Sequence, residues 1–295
     1  MVKVGLNFSI MRAKIVLIMY LAIDIGGTKT LVTCFTQAGK VVEQHRLLTS
    51  SDYRLFIREV AKIVADLTTK DFRSACVAFP GKIDREHGIG VACGNLPWLN
   101  TPIARDIERI VHCPVYVEND ANLAGLSEAI AIEDRYDRVL YVTISTGIGT
   151  GVVINQQIDP DFEDTEGGHI VLEHNGRLQR WERFASGSAI VRRYGKRAQD
   201  IHDTKTWRMI AHSLSVGMID LVAIVQPEII ICGGSVSTYF DRFGAYLEEE
   251  MGRFSTPLTP APPIKAAKRT EDAVIYGCFY FAKRNYERTR SKITA

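Results

Sequence analysis

The chain has 295 residues, 46% hydrophobic and 24% charged, a globular composition that excludes disordered, collagen-like and disulfide-scaffold proteins. Thirty-six basic against thirty-four acidic residues leave a formal charge of +2, without the basic excess of a protein that grips nucleic acid by its phosphates. Six scattered cysteines (Cys34, Cys76, Cys93, Cys113, Cys232, Cys278) form no CxxC pair and read as reduced thiols of a cytoplasmic protein, and the length is a prior for two domains.

In chain order, Lys3, Arg12 and Lys14 precede an apolar run, Ile15 to Ala22, that superficially resembles a signal peptide. The run is about half of the ~20 residues a spanning helix needs. It also flows without a cleavage-like break into Asp24-Ile25-Gly26-Gly27, so it reads as a buried first strand behind a short extension, with Met19 an equally good start. No other stretch reads as membranous. Tyr20–Ile25 is a predicted strand, Gly26-Gly27 a tight turn, and Leu31–Phe35 and Val41–Leu48 further strands. Asp52 caps a predicted helix Tyr53–Leu67, with Leu55, Ile57, Val60, Ile63, Val64 and Leu67 at helical spacing. A strand Ala75–Phe79 ends at Pro80-Gly81; a helix Ile103–Val111, a strand Val115–Val117 and a helix Ala121–Ala131 follow.

The opening pattern then returns: strand Val139–Ile144, a glycine turn Ser145–Gly151, and strand Gly151–Ile154. Leu21 and Tyr141, 120 positions apart, begin similar units, which suggests a duplicated architecture with a cleft between its halves. The rest reads as helical until the strand Glu228–Cys232, then a helix Tyr239–Met251, a proline-rich loop Pro257–Pro263 and a last helix from Asp272 to about Tyr286. Alternating strands and helices predict an α/β protein.

Asp24-Ile25-Gly26-Gly27-Thr28-Lys29-Thr30 is neither GxGxxG nor a Walker A loop, and it feeds a strand instead of a helix. Its glycines let backbone amides approach an anion, Thr28 adds a hydroxyl, Lys29 a point charge, and Asp24 a hard oxygen ligand for Mg²⁺. A plain hairpin with a buried Asp fits the same residues. Thr143 to Gly151 has the same donor-rich character, and the apolar strand ending at Gly233-Gly234 permits close approach of a ring or ribose. Asp120, in Glu118-Asn119-Asp120-Ala121-Asn122, is either the N-cap of its helix or a base beside Asn119. Further polar groups come at Asn95, Glu166, His169 and Glu182; with an apolar ring beside them, as at Trp98, they suit a sugar.

On these motifs, with Asn95-Leu96, Ala185-Ser186-Gly187 and Gly233-Gly234, the chain from Tyr20 to Ala282 resembles the ROK family (repressors, open reading frames and sugar kinases) of the actin/hexokinase ATPase superfamily. The resemblance implies two-lobed actin-like ATPase (ribonuclease H-like) domains with an intervening cleft. The divisions expected are an extension 1–18, a small domain 19–117, a large domain 118–276, and a C-terminal helix 277–295 packing back on the small one. It implies Asp120 as catalytic base toward the 6-hydroxyl of a hexose, and sugar contacts from Asn95, Asn119, Glu166, His169 and Glu182. It further implies phosphate motifs at Gly26, Gly27, Thr28 and Lys29 and at Thr146 and Gly147, an adenosine motif at Gly233 and Gly234, and Asp24 toward Mg²⁺ through water. ATP and Mg²⁺ are the implied cofactors, a small-molecule sugar the implied partner, and a homodimer is typical of relatives. Glucose is the default acceptor, N-acetylglucosamine or N-acetylmannosamine the alternative, and polyphosphate stays open as donor.

One departure stands out. Family members commonly follow the His with CxCGxxGCxE, whose cysteines and that His hold zinc; here Glu173 to Glu182 contains no cysteine. No structural zinc is expected, because His169 alone cannot make a four-ligand site, and Trp181 and Leu178 are expected to pack the loop instead. Ser145 and Thr150 stand where the family often has glycine. Two other classes remain to be separated by sugar-dependent turnover: a non-catalytic sugar sensor and a filament-forming actin relative. The nineteen residues before the first strand are too few for the DNA-binding domain of family repressors.

Overall fold

The computed structural model describes residues 18–132 and 135–294, the side chains of 292–294 excepted. The basic extension and the start of the apolar run, residues 1–17, lie outside the described residues.

The chain opens with β1 (Met19–Ile25), β2 (Lys29–Thr36) and β3 (Val41–Leu48), an antiparallel meander. Asp52 accepts from the amides of Arg54 and Leu55 and caps α1 (Tyr53–Asp66). The buried face of α1 is Phe56, Val60 and Val64, while Leu55 is 45% exposed, so the apolar stripe sits one residue off its predicted start. Next come β4 (Phe72–Phe79), β5 (Gly81–Asp84), β6 (Ile89–Cys93), β7 (Leu99–Thr101), α2 (Ile103–Val111), β8 (Val115–Asn119) and α3 (Asp120–Ala131). The second half contains β9 (Arg138–Ile144), β10 (Ile148–Ile154), β11 (Gln157–Ile158), β12 (Val171–His174), β13 (Arg177–Arg180), α4 (Glu182–Ala185), α5 (Gly187–Tyr194) and α6 (Thr204–Val225). It ends with β14 (Ile229–Gly233), α7 (Phe240–Gly252), β15 (Ile264–Ala266) and α8 (Ala273–Thr294).

Two five-stranded sheets share one topology. The first runs β3-β2-β1-β4-β8 and the second β11-β10-β9-β14-β15, each an antiparallel meander followed by parallel strands. The strand alternation then dictates the layers. Leu21, Ile23 and Ile25 of β1 face a core closed by α1 and α2, while Tyr20 and Ala22 face one that includes Ile275, Phe279 and Ala282 of α8. On β9, Leu140, Val142 and Ile144 pack with α6 and α7, and Val139 and Tyr141 with Ala124, Leu126 and Ala129 of α3. Helices α3 and α8 therefore lie between the sheets and join them. Their backbones nearly touch: a Cβ on Gly277 would lie 2.0 Å from the carbonyl oxygen of Leu123.

Three sequence expectations need correcting. The stretch between β10 and β14 is not simply helical, because it carries the β12–β13 hairpin, and β5, β6 and β7 form a small antiparallel sheet that was not expected. Trp98 is not a free ring: it is buried against Tyr53 and Phe56, its indole N–H donating to the Ser51 carbonyl. Helix α6 is long and apolar enough to cross a membrane by length and composition, yet it buries Trp207, Leu214, Met218 and Leu221 in the core.

Candidate active site

Asp120 stands at the meeting point of two cavities between the sheets. The first, about 1030 Å³, is lined by Asp24, Ile25 and Gly26 from the β1–β2 turn, by Thr143, Ser145 and Thr146 from the β9–β10 turn, and by Gly234, Ser235 and Thr238 after β14. Thr270 and Glu271, ahead of α8, close it. The second, about 820 Å³, is lined by Gly81, Cys93 and Asn95 around the small sheet, by Asn119, and by Gly147, Glu166, His169 and Glu182. Asp120, Thr143, Ser145, Thr146 and Ser188 line both.

Local chemistry explains these placements. Asn119, not Asp120, caps α3: its Oδ1 accepts from the amides of Ala121 at 2.8 Å and Asn122 at 3.3 Å. Asp120 is thereby the first residue of the helix, with Oδ1 2.8 Å from the Ala121 nitrogen. The carboxylate opens to the cleft, but the protein packed around it pushes its pKa up to about 6; the Ala121 amide works downward and Glu166 upward. Asp24, at the end of β1, is raised to about 7, first by burial and then by the charge of Asp120.

In the first turn the Gly26 amide is committed to the Lys29 carbonyl at 3.0 Å, and Thr49 Oγ1 donates to the Gly26 carbonyl at 2.8 Å. A Cβ on Gly27 would meet the Asn95 side chain at 2.8 Å, so the turn lies against the wall of the second cavity. Gly27, Thr28, Lys29 and Gly233 line neither cavity, and Gly233 instead packs on Tyr141. In the second turn Ser145 N–H donates to the Gly147 carbonyl at 2.9 Å, and Ser145 Oγ accepts from the Ser235 amide at 3.1 Å. This hydroxyl ties the second turn to the third. Gly234 has φ +83° and leaves no room for a Cβ, which would meet Thr143 Oγ1 and Ser145 Oγ at 2.6 Å.

Thr150 is likewise a tether: Oγ1 accepts from the Gly167 amide at 2.9 Å and donates to the Thr165 carbonyl at 3.3 Å, holding the loop that carries Glu166. Both residues that depart from the expected glycines are thus hydrogen-bonding parts of the site. Glu182 starts α4 and reaches within 2.8 Å of where a Gly147 Cβ would stand, and His169 Nε2 lies 3.6 Å from its carboxylate. Just after the hairpin between them, Trp181 is fully buried with its N–H on the Ser213 carbonyl at 3.1 Å, and His174 of β12 stacks on Phe184 at 4.2 Å. Leu178, 76% exposed, takes no part in that packing, contrary to expectation. Among the described residues no group of three or more His, Cys, Asp or Glu is arranged to hold a metal ion.

Residues 20–285 match the ROK family. The chain belongs to the ROK family. Among its relatives in sequence, a glucokinase of Thermotoga maritima is 25% identical over 300 residues, covering 87% of this chain and 95% of its own length. An N-acetylmannosamine kinase of Vibrio vulnificus is 29% identical over 310 residues, covering 90% and 98%. A ROK family glucokinase from Streptomyces griseus, solved in complex with glucose and AMPPNP, superposes with a TM-score of 0.77 at 22% identity, covering 90% of this chain and 99% of that one. The fold of this ROK chain is accordingly that of the actin-like ATPases, and its relatives in sequence named here are sugar kinases.

Sequence reasoning passed over Ser188 and Arg85, and took Thr143 only as the start of the second donor-rich turn. Thr143 and Ser188 line both cavities, whereas Arg85 sits in the β5–β6 turn and joins the site through partners distant in sequence, the Glu118 carboxylate 33 residues away and the loop at Glu163 and Asp164.

Proposed function

We propose that this ROK protein is an ATP-dependent hexose kinase, transferring the γ-phosphoryl group to the 6-hydroxyl of a sugar, with glucose as the first acceptor to test. The observation that carries it is the carboxylate of Asp120 on the wall common to both cavities, between the two glycine turns and the polar ring of Asn95, Asn119, Glu166, His169 and Glu182. The larger cavity suits the nucleotide and the other the sugar. With domains at 19–117 and 118–276, closure about α3 and α8 excludes water, which otherwise competes as acceptor.

Asp120 accepts the proton of the 6-hydroxyl as the oxygen attacks the γ-phosphorus and the bond to the β-phosphate oxygen breaks, releasing ADP. Thr146 and Ser188 donate to the phosphoryl oxygens. Positioning and electrostatics supply most of the acceleration, because the transition state needs little covalent help. The donor set fits a hard divalent cation: Asp24 and Asp120 are neighbouring carboxylates whose mutual repulsion a Mg²⁺ relieves, and Asp24 would hold it through water. When bound, such an ion neutralises charge on the donor phosphates.

Asp120→Asn tests the assignment. It is expected to keep sugar affinity in calorimetry and to lose roughly 10²–10⁴ in turnover, the range of a general base; near-normal turnover removes Asp120 from the role. An N-acetylhexosamine is the second acceptor class, supported by the 29% identity to an N-acetylmannosamine kinase and by an acceptor cavity of about 820 Å³.

A further inference from the structure

Glu118 is a carboxylate 1% exposed, placed immediately before the cap and the base of α3. An unpaired charge there is strongly unfavourable, so its partners matter. Arg85 meets it with a two-pronged contact, Nε to Oε2 at 2.8 Å and Nη2 to Oε1 at 2.6 Å. Glu118 Oε1 also accepts from the Asn119 amide at 2.6 Å and from Asn122 Nδ2 at 3.0 Å. The carboxylate thus holds the backbone on which Asn119 and Asp120 are mounted.

Arg85 does not stop at Glu118. Its Nη2 donates to the Glu163 carbonyl at 2.8 Å and its Nη1 to Asp164 Oδ1 at 2.8 Å, and Lys82 bonds the same Asp164. Asn122 Nδ2 donates to the Glu163 carbonyl as well, at 2.8 Å. Burial works to lower the Arg85 pKa, but Glu118 together with Asp164 and Glu163 more than offsets this, and the guanidinium is held charged. Glu163 and Asp164 precede Glu166 in the loop after β11, on the second sheet's side; Arg85 and Lys82 belong to the small sheet on the first. One guanidinium therefore joins three elements around the acceptor cavity: the small sheet that supplies Gly81 and Lys82, the start of α3, and the loop leading to Glu166.

We propose that Arg85 and Glu118 are positioning residues for phosphoryl transfer, a cross-cleft clamp that fixes Asp120 and Glu166 relative to one sugar. The clamp rests on the kinase reading above. Neither residue lines the acceptor cavity, so they act through Asp120, Asn119 and Glu166. Lysine cannot replace the arginine, because a point charge lacks the fork that spans Glu118 and the Glu163 carbonyl together. A misplacement of about 1 Å in such a site is enough for roughly a 10²-fold loss of rate.

The test uses the full chain, with Arg85→Lys, Arg85→Met, and the neutral pair Arg85→Met with Glu118→Gln, which leaves no charge stranded should the single variant fail to fold. Arg85→Lys is expected to keep the melting temperature within a few degrees, lower kcat by 10- to 100-fold, weaken calorimetric glucose affinity several-fold, and leave the KM for ATP within about threefold. The neutral pair is expected to fold and to show the same split. In an Asp120→Asn background, Arg85→Lys is expected to lower kcat by less than threefold while its effect on melting is unchanged, which a merely structural role does not produce. Wild-type-like kcat and glucose affinity in Arg85→Lys, or full additivity with Asp120→Asn, overturns the clamp alone. A wild-type protein that neither turns over nor binds any hexose overturns the kinase reading and the clamp with it.

Discussion

As the proposed base, Asp120 combines two demands that pull against each other: a base must be ionised at working pH, yet a carboxylate enclosed by protein resists ionisation. Burial brings it to about 6, with Glu166 adding to the shift and the Ala121 amide restraining it. Since only the ionised form accepts the proton, kcat/KM is expected to fall tenfold per pH unit below about 6 and to be level above it. A pH–rate profile whose acid limb begins near 4 contradicts this. Asp24 gives a stability counterpart. Its pKa of about 7 lies above that of an unfolded Asp, so the folded chain binds this proton more tightly. The stabilisation is complete below about pH 4 and is lost as pH rises through 7. Asp24→Asn is therefore expected to raise the melting temperature at pH 8 without divalent cations, by roughly 2–4 °C for about 1 kcal/mol, with the gain shrinking toward pH 4. An unchanged or lower midpoint at pH 8 argues against it. At this scale Asp24, Gly26 and Thr146 could be picked out because each stands at or just past a strand end beside glycine or hydroxyl neighbours, and Asp120 because it follows a strand beside Asn119. Arg85 could not, since nothing local distinguishes a surface arginine in a turn from one that reaches Glu118. Lys29 carried the opposite signal: a lysine beside two glycines reads as a phosphate ligand, yet it begins β2 and lines neither cavity.

The elements written most plainly in the sequence are those with long, unbroken patterns. Val41–Leu48 and Ile103–Val111 end where predicted, because a turn or a proline bounds each. Short strands escaped. β5, β6 and β7 span four, five and three residues, and β12 and β13 four each, too few for an alternation to register. Their pairing is fixed by partners on the neighbouring strand, which a one-dimensional pattern does not contain. The β12–β13 hairpin also carries a prediction. Trp181 rests on Gly217 of α6 and hydrogen-bonds Ser213, so apolar packing braces the segment in which the resemblance led one to look for zinc-holding cysteines. Dialysis against a strong chelator is expected to leave the melting temperature unchanged, while Trp181→Ala lowers stability by ~3–5 kcal/mol, as removal of a large buried ring does. A midpoint that drops with chelator and recovers on adding zinc contradicts that picture.

At the scale of the whole molecule, the duplicated opening motif became a duplicated sheet order, with β1 and β9 at corresponding positions and α3 and α8 between the two sheets. The second copy was visible because its strand–glycine turn–strand unit survives. The rest of the correspondence was not, since β3 has eight residues against two in β11 and the hairpin and short helices between β11 and α6 interrupt the second half. The arrangement gives two cavities that meet at one carboxylate, which in the proposed kinase a nucleotide and a sugar approach from opposite sides. Incubating the protein with Mg²⁺ and ATP labelled at the γ-phosphate, across a panel of hexoses and N-acetylhexosamines, reads that geometry directly. Label is expected on the 6-oxygen of at least one sugar, and only in its presence; label that reaches no sugar, or appears as inorganic phosphate at the same rate with and without one, contradicts the kinase.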